Sequence, residues 1–101
     1  MIFSYREDGY ETSDKDKELI EKKLVKLEKF DNRLNQADED AVKIHVNLFR
    51  GKKHNSPNFG LRVQLTFTGN SLRAEASGET IANAVDEVER KLRMQIEKLK
   101  S

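Results

Sequence analysis

The chain has 101 residues, enough for one domain with a single modest core and too few for two. Its 19 Lys and Arg residues nearly balance its 18 Asp and Glu residues, so the net charge of +1 carries no information about a partner. The absence of cysteine excludes disulfides and thiolate metal sites, and no apolar run approaches the ~20 residues that span a bilayer. The first residues, MIFSYRED, lack the pattern of a signal peptide, so we expect a cytoplasmic protein.

The first predicted element is a short strand at residues 1–6, in which Phe3 and Tyr5 alternate toward the core. A turn follows at residues 7–12, around an Asp-Gly pair. Ser13 is a good N-cap, and two aspartates in the next turn suit the positive end of a helix dipole. The sequence therefore predicts that a helix begins at Ser13.

Residues 13–34 are predicted to form one amphipathic helix that ends between Phe30 and Leu34. Its apolar stripe consists of Ile20, Leu24 and Leu27, with Leu19 and Phe30 on the flank. Five cations fall within roughly 60° of arc on the opposite side: Lys15, Lys22, Lys26, Lys29 and Arg33. A helix that needed only solubility would alternate its charges and gain about 0.2–0.5 kcal/mol per pair. The stripe favours an anionic partner, and a solvated basic face stays open as the alternative.

Three strands are predicted after a polar, acidic connection at residues 35–40. The first two, residues 42–50 and 61–68, alternate apolar and polar side chains and are separated by a loop at residues 51–58. A two-residue hairpin turn at Gly69-Asn70, with glycine first, leads into a third strand at residues 71–77. The expected inward residues are Val42, Ile44, Val46, Leu48, Leu61, Val63, Leu65, Phe67, Leu72, Ala74 and Ala76.

Gly78 ends the last strand, and residues 79–99 form a second predicted helix. Its core stripe is Ile81, Val85, Val88, Leu92, Ile96 and Leu99. The order is therefore β-α-β-β-β-α, an α+β fold. The helical crossover makes the first two strands parallel, and the two hairpins are antiparallel. We expect a four-stranded mixed sheet with two parallel helices on one face, their C-terminal ends together.

Positive charge is concentrated at those two C-terminal ends. Residues 22–33 contain five basic and two acidic residues, and residues 90–101 contain five basic and one acidic residue. Such a cluster is the electrostatic footprint of a nucleic-acid phosphate surface.

Two structural roles also explain cations at these positions. Cations near a helix C-terminus stabilise the dipole by about 0.3–1 kcal/mol each. In the second helix, three i,i+4 pairs are expected to form: Asp86/Arg90, Glu87/Lys91 and Glu89/Arg93. The lysines of the first helix are therefore the stronger candidates for binding.

Catalysis is not expected. His45 on the outward face of a strand and His54 in a loop are more simply surface residues than ligands. No carboxylate pair is placed in an apolar setting, and no P-loop, dinucleotide-binding glycine set or nucleophile elbow is present. We therefore expect a non-enzyme with no metal, no cofactor and no small-molecule substrate.

Several motifs carry a family resemblance. They are Lys23 and KLE at residues 26–28 in the first helix, LRAEASGE at residues 72–79 leading into IANAVD at residues 81–86, and Lys91-Leu92 with Gln95. With these the chain resembles the ribosome hibernation promoting factors, also called ribosome-associated inhibitor A and formerly sigma-factor modulation proteins. The resemblance covers nearly the whole chain. It implies the same β-α-β-β-β-α fold and binding in the decoding region of the small ribosomal subunit, where messenger RNA and transfer RNAs lie.

The resemblance also implies which residues contact rRNA. The family's basic positions match Lys23, Lys26 and Lys91 most directly. Together with their neighbours and the basic end of the second helix, the candidate set is Lys22, Lys23, Lys26, Lys29, Arg33, Arg90, Lys91, Arg93, Lys98 and Lys100. Two features depart from the family: Met94 stands where an arginine is common, and the loop at residues 51–58 is long and basic.

The chain stops at Ser101, without the C-terminal dimerising domain of long family forms. We therefore expect a short member or an N-terminal domain that is monomeric when free. One alternative is a generic double-stranded-RNA-binding domain. Its lysines would lie at the start of the last helix, where this chain has Glu79-Thr80. Another is a protein-interaction module that acts on a transcription factor.

Overall fold

The computed structural model describes residues 1–8, 11–36, 41–50 and 58–100. Its elements are β1 (Ile2–Asp8), α1 (Asp14–Leu24), a 3₁₀ helix (Val25–Phe30), α2 (Asn32–Gln36), β2 (Lys43–Arg50), β3 (Phe59–Phe67), β4 (Asn70–Gly78) and α3 (Ile81–Lys100). Most of the predicted connection at 35–40 and of the loop at 51–58 lies outside these residues. None of the helices described here is long and apolar enough to cross a membrane.

The four strands form one sheet in the order β1-β2-β3-β4. β1 and β2 are parallel, whereas β2 with β3 and β3 with β4 are antiparallel. The predicted fold class and topology are confirmed. The crossover from β1 to β2 contains the first helical segment, and α3 follows β4, so both helical segments pack on the same sheet face.

The core lies between that sheet face and the helices. All the expected inward residues of β2 and β3 are buried, as are Ala74 and Ala76 of β4. The stripe of α3 is buried from Ile81 to Ile96, and Leu99 is the exception, with 42% of its surface exposed. The prediction for Leu99 is wrong because the last turn of α3 has no described element packed over that side.

The predicted single helix at residues 13–34 is wrong from Val25 onward. Its start is confirmed by a capping box, in which Asp16 N donates to Ser13 Oγ (3.1 Å) and Ser13 N donates to the Asp16 carboxylate (3.3 Å). The α-helix tightens into the 3₁₀ helix after Leu24 and ends at Asp31, whose backbone is extended. Aspartate side chains hydrogen-bond nearby backbone groups and so favour helix ends over helix interiors. The spacing of apolar residues gives no indication of this effect.

The hairpin between β3 and β4 turns one residue earlier than predicted. Phe67 pairs with Asn70, and the two turn residues are Thr68 and Gly69, both with positive φ (43° and 77°). The predicted turn at Gly69-Asn70 would also pair inward residues with inward residues, so the apolar alternation could not distinguish the two registers. Positive φ at both central residues is the geometry whose twist matches that of the strands.

Candidate nucleic-acid interface

The first helical segment (α1 and the 3₁₀ helix) and α3 lie side by side on the sheet, run in the same direction and contact each other through side chains. Lys23 Nζ lies 3.0 Å from the Asp86 carboxylate, and the Arg93 guanidinium lies 5.5 Å from the centre of the Phe30 ring. Along both helical segments the Lys23–Asp86 contact comes first and the Phe30–Arg93 contact second, as parallel helices require. The prediction that the two basic C-terminal ends lie together is confirmed.

Lys22, Lys26 and Lys29 project into solvent along the outer side of this layer. None of the three makes an ion pair within the described parts of the chain. Lys26 and Lys29 lie in the 3₁₀ helix, in which side chains three residues apart eclipse one another. We call these three residues the lysine stripe. It holds like charges in a row, with no described residue to neutralise them.

One acidic side chain next to the stripe, Glu21, is engaged by β1. Glu21 accepts a hydrogen bond from the Tyr5 hydroxyl at 2.8 Å, which joins α1 to β1. The Lys17 ammonium lies 5.2 Å from the centre of the same ring. Burial, followed by the interaction with Glu21, raises the pKa of Tyr5 above its usual range, so the hydroxyl stays a donor. This cluster fixes the orientation of α1 while leaving the lysine stripe open.

Arg33 leaves the predicted stripe and is engaged by Asp31. The Asp31 carboxylate, 4% exposed, accepts hydrogen bonds from the Arg33 backbone N–H (2.9 Å) and from its guanidinium (2.7 Å from Nη2). The guanidinium also lies 5.3 Å from the centre of the Phe67 ring. Hydrogen bonding from Arg33 lowers the pKa of Asp31 below its usual value despite burial. Arg33 therefore neutralises a buried carboxylate at the point where the chain turns into α2.

The cations of α3 are paired differently from the prediction. The predicted Asp86/Arg90 pair is wrong because Asp86 is taken by Lys23, and Arg90 instead pairs with Glu87. Hydrogen bonding between these two lowers the pKa of Glu87 and raises that of Arg90.

The remaining two predicted pairs have opposite outcomes. The Glu87/Lys91 pair is wrong because Lys91 Nζ donates to the backbone carbonyl of Glu75 at 2.7 Å. The Glu89/Arg93 pair is confirmed at 3.7 Å.

A groove of about 450 Å³ runs between the free edge of β4 and α3. Lys91 and Gln95 cross it and donate to the carbonyls of Glu75 and Arg73, each at 2.7 Å. Met94, 49% exposed, lies on the α3 side of the groove beside Lys98. Arg73, on the outward face of the edge strand β4, borders the same groove. Sequence analysis missed Arg73 because the alternation of β4 places it outward without indicating that α3 passes beside it.

The ten predicted contact residues thus fall into three groups. Four are held in ion pairs: Lys23, Arg33, Arg90 and Arg93. Lys91 donates to a backbone carbonyl. The third group is the lysine stripe together with Lys98 and Lys100 at the end of α3; all five are exposed, as Arg33 and Arg90 also are. Across the described residues, no group of three or more His, Cys, Asp and Glu side chains could hold a metal ion.

Comparison with known proteins gives a consistent result. Residues 3–101 match the family model of the sigma 54 modulation protein / S30EA ribosomal protein. The N-terminal domain of Thermus thermophilus Protein Y is similar, with 19% identity and a TM-score of 0.77 over 98% of this chain and 99% of that chain. A ribosomal subunit interface protein from Coxiella burnetii is similar too, with 24% identity and a TM-score of 0.76 over 99% of this chain and 98% of that one. A search of curated protein sequences gives no significant match. The two structures support the fold, and the family model matches nearly the full chain, which therefore belongs to the sigma 54 modulation protein / S30EA ribosomal protein family.

Proposed function

We propose that this protein is a non-catalytic ribosome hibernation factor that binds small-subunit rRNA in the decoding region. There it blocks the sites of messenger RNA and transfer RNA by occupying them. Membership of a family described by a ribosomal protein supports a ribosome-related role. The decoding region follows from the resemblance of the helix and strand motifs to the hibernation promoting factors.

The lysine stripe is the observation that carries the proposal. Lys22, Lys26 and Lys29 repel one another along an exposed face, whereas Lys23, Arg33 and the arginines of α3 are already engaged by protein groups. A row of unneutralised lysines is stabilised when phosphates lie against it and displace their counterions. Lys98 and Lys100, at the adjacent end of α3, extend the same surface.

Rigidity suits this surface to a blocking role. The buried stripes of the first helical segment and of α3 belong to one hydrophobic core, which fixes the two relative to each other. The Lys23–Asp86 ion pair and the packing of Arg93 on Phe30 add contacts between them. The cations on them are therefore presented at set positions, which lowers the entropic cost of binding a folded RNA. Because the mechanism is occupancy, the protein inhibits without turnover and leaves the RNA chemically unchanged.

The test has two parts. The full chain should co-sediment with purified small subunits and saturate near one protein per subunit. In a translation assay, inhibition should be stoichiometric and relieved by excess messenger RNA and initiator transfer RNA, with the rRNA intact afterwards. Inactivation of many ribosomes by one molecule, or cleavage of the rRNA, would overturn the proposal.

A second candidate function follows from the other half of the family description. A protein that modulates sigma 54 would act on a transcription factor through a protein interface. Binding to purified sigma 54, together with no binding to small subunits, would favour this function over the first.

A further inference from the structure

The sheet face opposite the helices has no element of the described chain over it. The pairing register arranges its outward side chains in four rows across four strands. Each strand contributes one cation to this face, namely Arg6, Lys43, Arg62 and Arg73, against two acids, Asp8 and Glu75. We call this surface the open sheet face. It is a second cationic surface, turned away from the lysine stripe.

The centre of the open sheet face is a shallow cavity. It has a volume of about 240 Å³ and is lined by Ser4, Arg6, His45, Asn47, Arg62 and Gln64. Arg6, Asn47 and Arg62 lie in one row of the register, so the two arginines flank Asn47 about 10 Å apart, two strand spacings. Asn47 Oδ1 is buried and has no hydrogen-bond partner among the described residues. The cavity therefore places two cations on either side of a side-chain amide.

Planar groups lie beside this cavity. The ring of Phe49 lies across Gly60, where an added Cβ would come within 2.1 Å of a ring carbon. The Arg62 guanidinium lies 5.3 Å from the centre of that ring and also hydrogen-bonds Glu75 at 3.2 Å. On the other side, Ser4 Oγ and His45 Nδ1 are 2.5 Å apart, which orients the imidazole. The absence of a side chain at residue 60 is what allows this layer of flat groups.

The cations of this face remain available to an anion. Arg62 with Glu75 (3.2 Å) and Arg6 with Asp8 (3.6 Å) form exposed ion pairs, which contribute little to stability in water. Within the described chain, Lys43 and Arg73 form no ion pair at all. Lys43 and Arg73 are therefore the cations of this face that no described acid neutralises.

We propose that the open sheet face binds a segment of single-stranded RNA. Arg6 and Arg62 suit phosphates, and the amides of Asn47 and Gln64 offer the donors and acceptors that base edges require. Guanidinium and imidazole planes provide stacking surfaces for unpaired bases. An acidic peptide would also pair with the cations, but it has no bases to stack on the guanidinium and imidazole planes. The proposal does not rest on the proposed function, because the lysine stripe lies on the opposite side.

The test measures binding of a fluorescein-labelled 12-nucleotide single-stranded RNA of mixed sequence to the full chain. Lys43→Gln/Arg73→Gln removes two exposed cations that take part in no described ion pair. If each contacts one phosphate, the salt slope falls by about 1.4 and the affinity at 0.1 M salt falls by about 25-fold, at about 0.7 log units per contact. Gln64→Glu, which keeps the shape of the cavity and adds a negative charge, should weaken binding in the same direction. Amide spectra of each variant verify its fold.

The matched control removes the same charge from the other side of the molecule. Lys15→Gln/Lys17→Gln, on α1 and outside the lysine stripe, should retain most of its affinity for the 12-nucleotide RNA, and amide shifts on RNA addition should concentrate at His45, Asn47 and Gln64. Equal loss in both double variants would overturn the proposal, since the RNA would then sense net charge alone. An acidic peptide of the same length should bind far more weakly, and equal binding would overturn the assignment to RNA.

Discussion

The lysine stripe allows a quantitative prediction for ribosome binding. If about five phosphates are neutralised, each at about 0.7 log units per decade of salt, affinity should fall by at least 100-fold between 50 and 200 mM salt. Lys22→Ala/Lys26→Ala/Lys29→Ala removes three of those contacts. The affinity of the triple variant should then fall by only about sevenfold over the same range. At 0.1 M salt it should bind about 100-fold more weakly than the wild type.

The assay is equilibrium binding to purified small subunits at several salt concentrations, combined with thermal unfolding. The triple variant should unfold at the same or a slightly higher temperature, because the three lysines are exposed and alanine both favours helix and relieves repulsion. Lys15→Ala is a matched control on the same helix. It lies about 10 Å from Lys22 and about 17 Å from Lys26 by helical rise, at or beyond the screening length at 0.1 M salt, and should change neither quantity by much. An unchanged salt slope in the triple variant, or a clear loss of stability, would refute the reasoning.

Three further predictions concern stability. Asp31→Asn should remove part of the pH dependence of stability. Arg33 lowers the pKa of Asp31 in the folded state, so the stabilisation by this carboxylate is present above the unfolded pKa of about 3.9 and is lost as the pH falls through the folded pKa. Melting curves from pH 2 to 6 should show the wild-type advantage shrinking at low pH, and a constant difference would contradict this. Thr68→Gly should stabilise by about 1 kcal/mol in urea denaturation, because Thr68 has a left-handed backbone, and destabilisation would contradict this. Arg90→Ala/Arg93→Ala should slightly lower the melting temperature by breaking two helix ion pairs, unlike the lysine triple variant.

The fold was largely predictable because its strongest patterns are long. The apolar alternation of β2 and β3 and the apolar stripe of α3 each extend over several repeats. They therefore predict which face of each element is buried, and with it the topology. The misplaced turn at Thr68-Gly69 shows the limit, since two registers bury the same side chains and only backbone geometry separates them. The break at Asp31 shows another: one side chain that bonds its neighbour's N–H ends a helix whose apolar spacing continues.

The candidate site was less predictable because pairing depends on tertiary distance. Arg90 lies one helical turn from Asp86, yet Asp86 forms its ion pair with Lys23 of the first helical segment. Lys91 likewise bonds a strand carbonyl rather than Glu87. Local spacing identifies which residues are charged and on which face they lie. Which of them are taken up in contacts within the protein depends on how the two helical segments and the sheet pack against one another.

The hydrogen bonds that α3 makes to β4 bear on self-association. β4 is an edge strand, and a free edge with unpaired carbonyls is a template on which another chain can add a strand. Lys91 and Gln95 occupy two of those carbonyls, at Glu75 and Arg73, and the ammonium charge of Lys91 repels a second basic edge. α3 therefore covers part of the free edge of the sheet, and we expect it to prevent the chain from polymerising through β4 at high concentration.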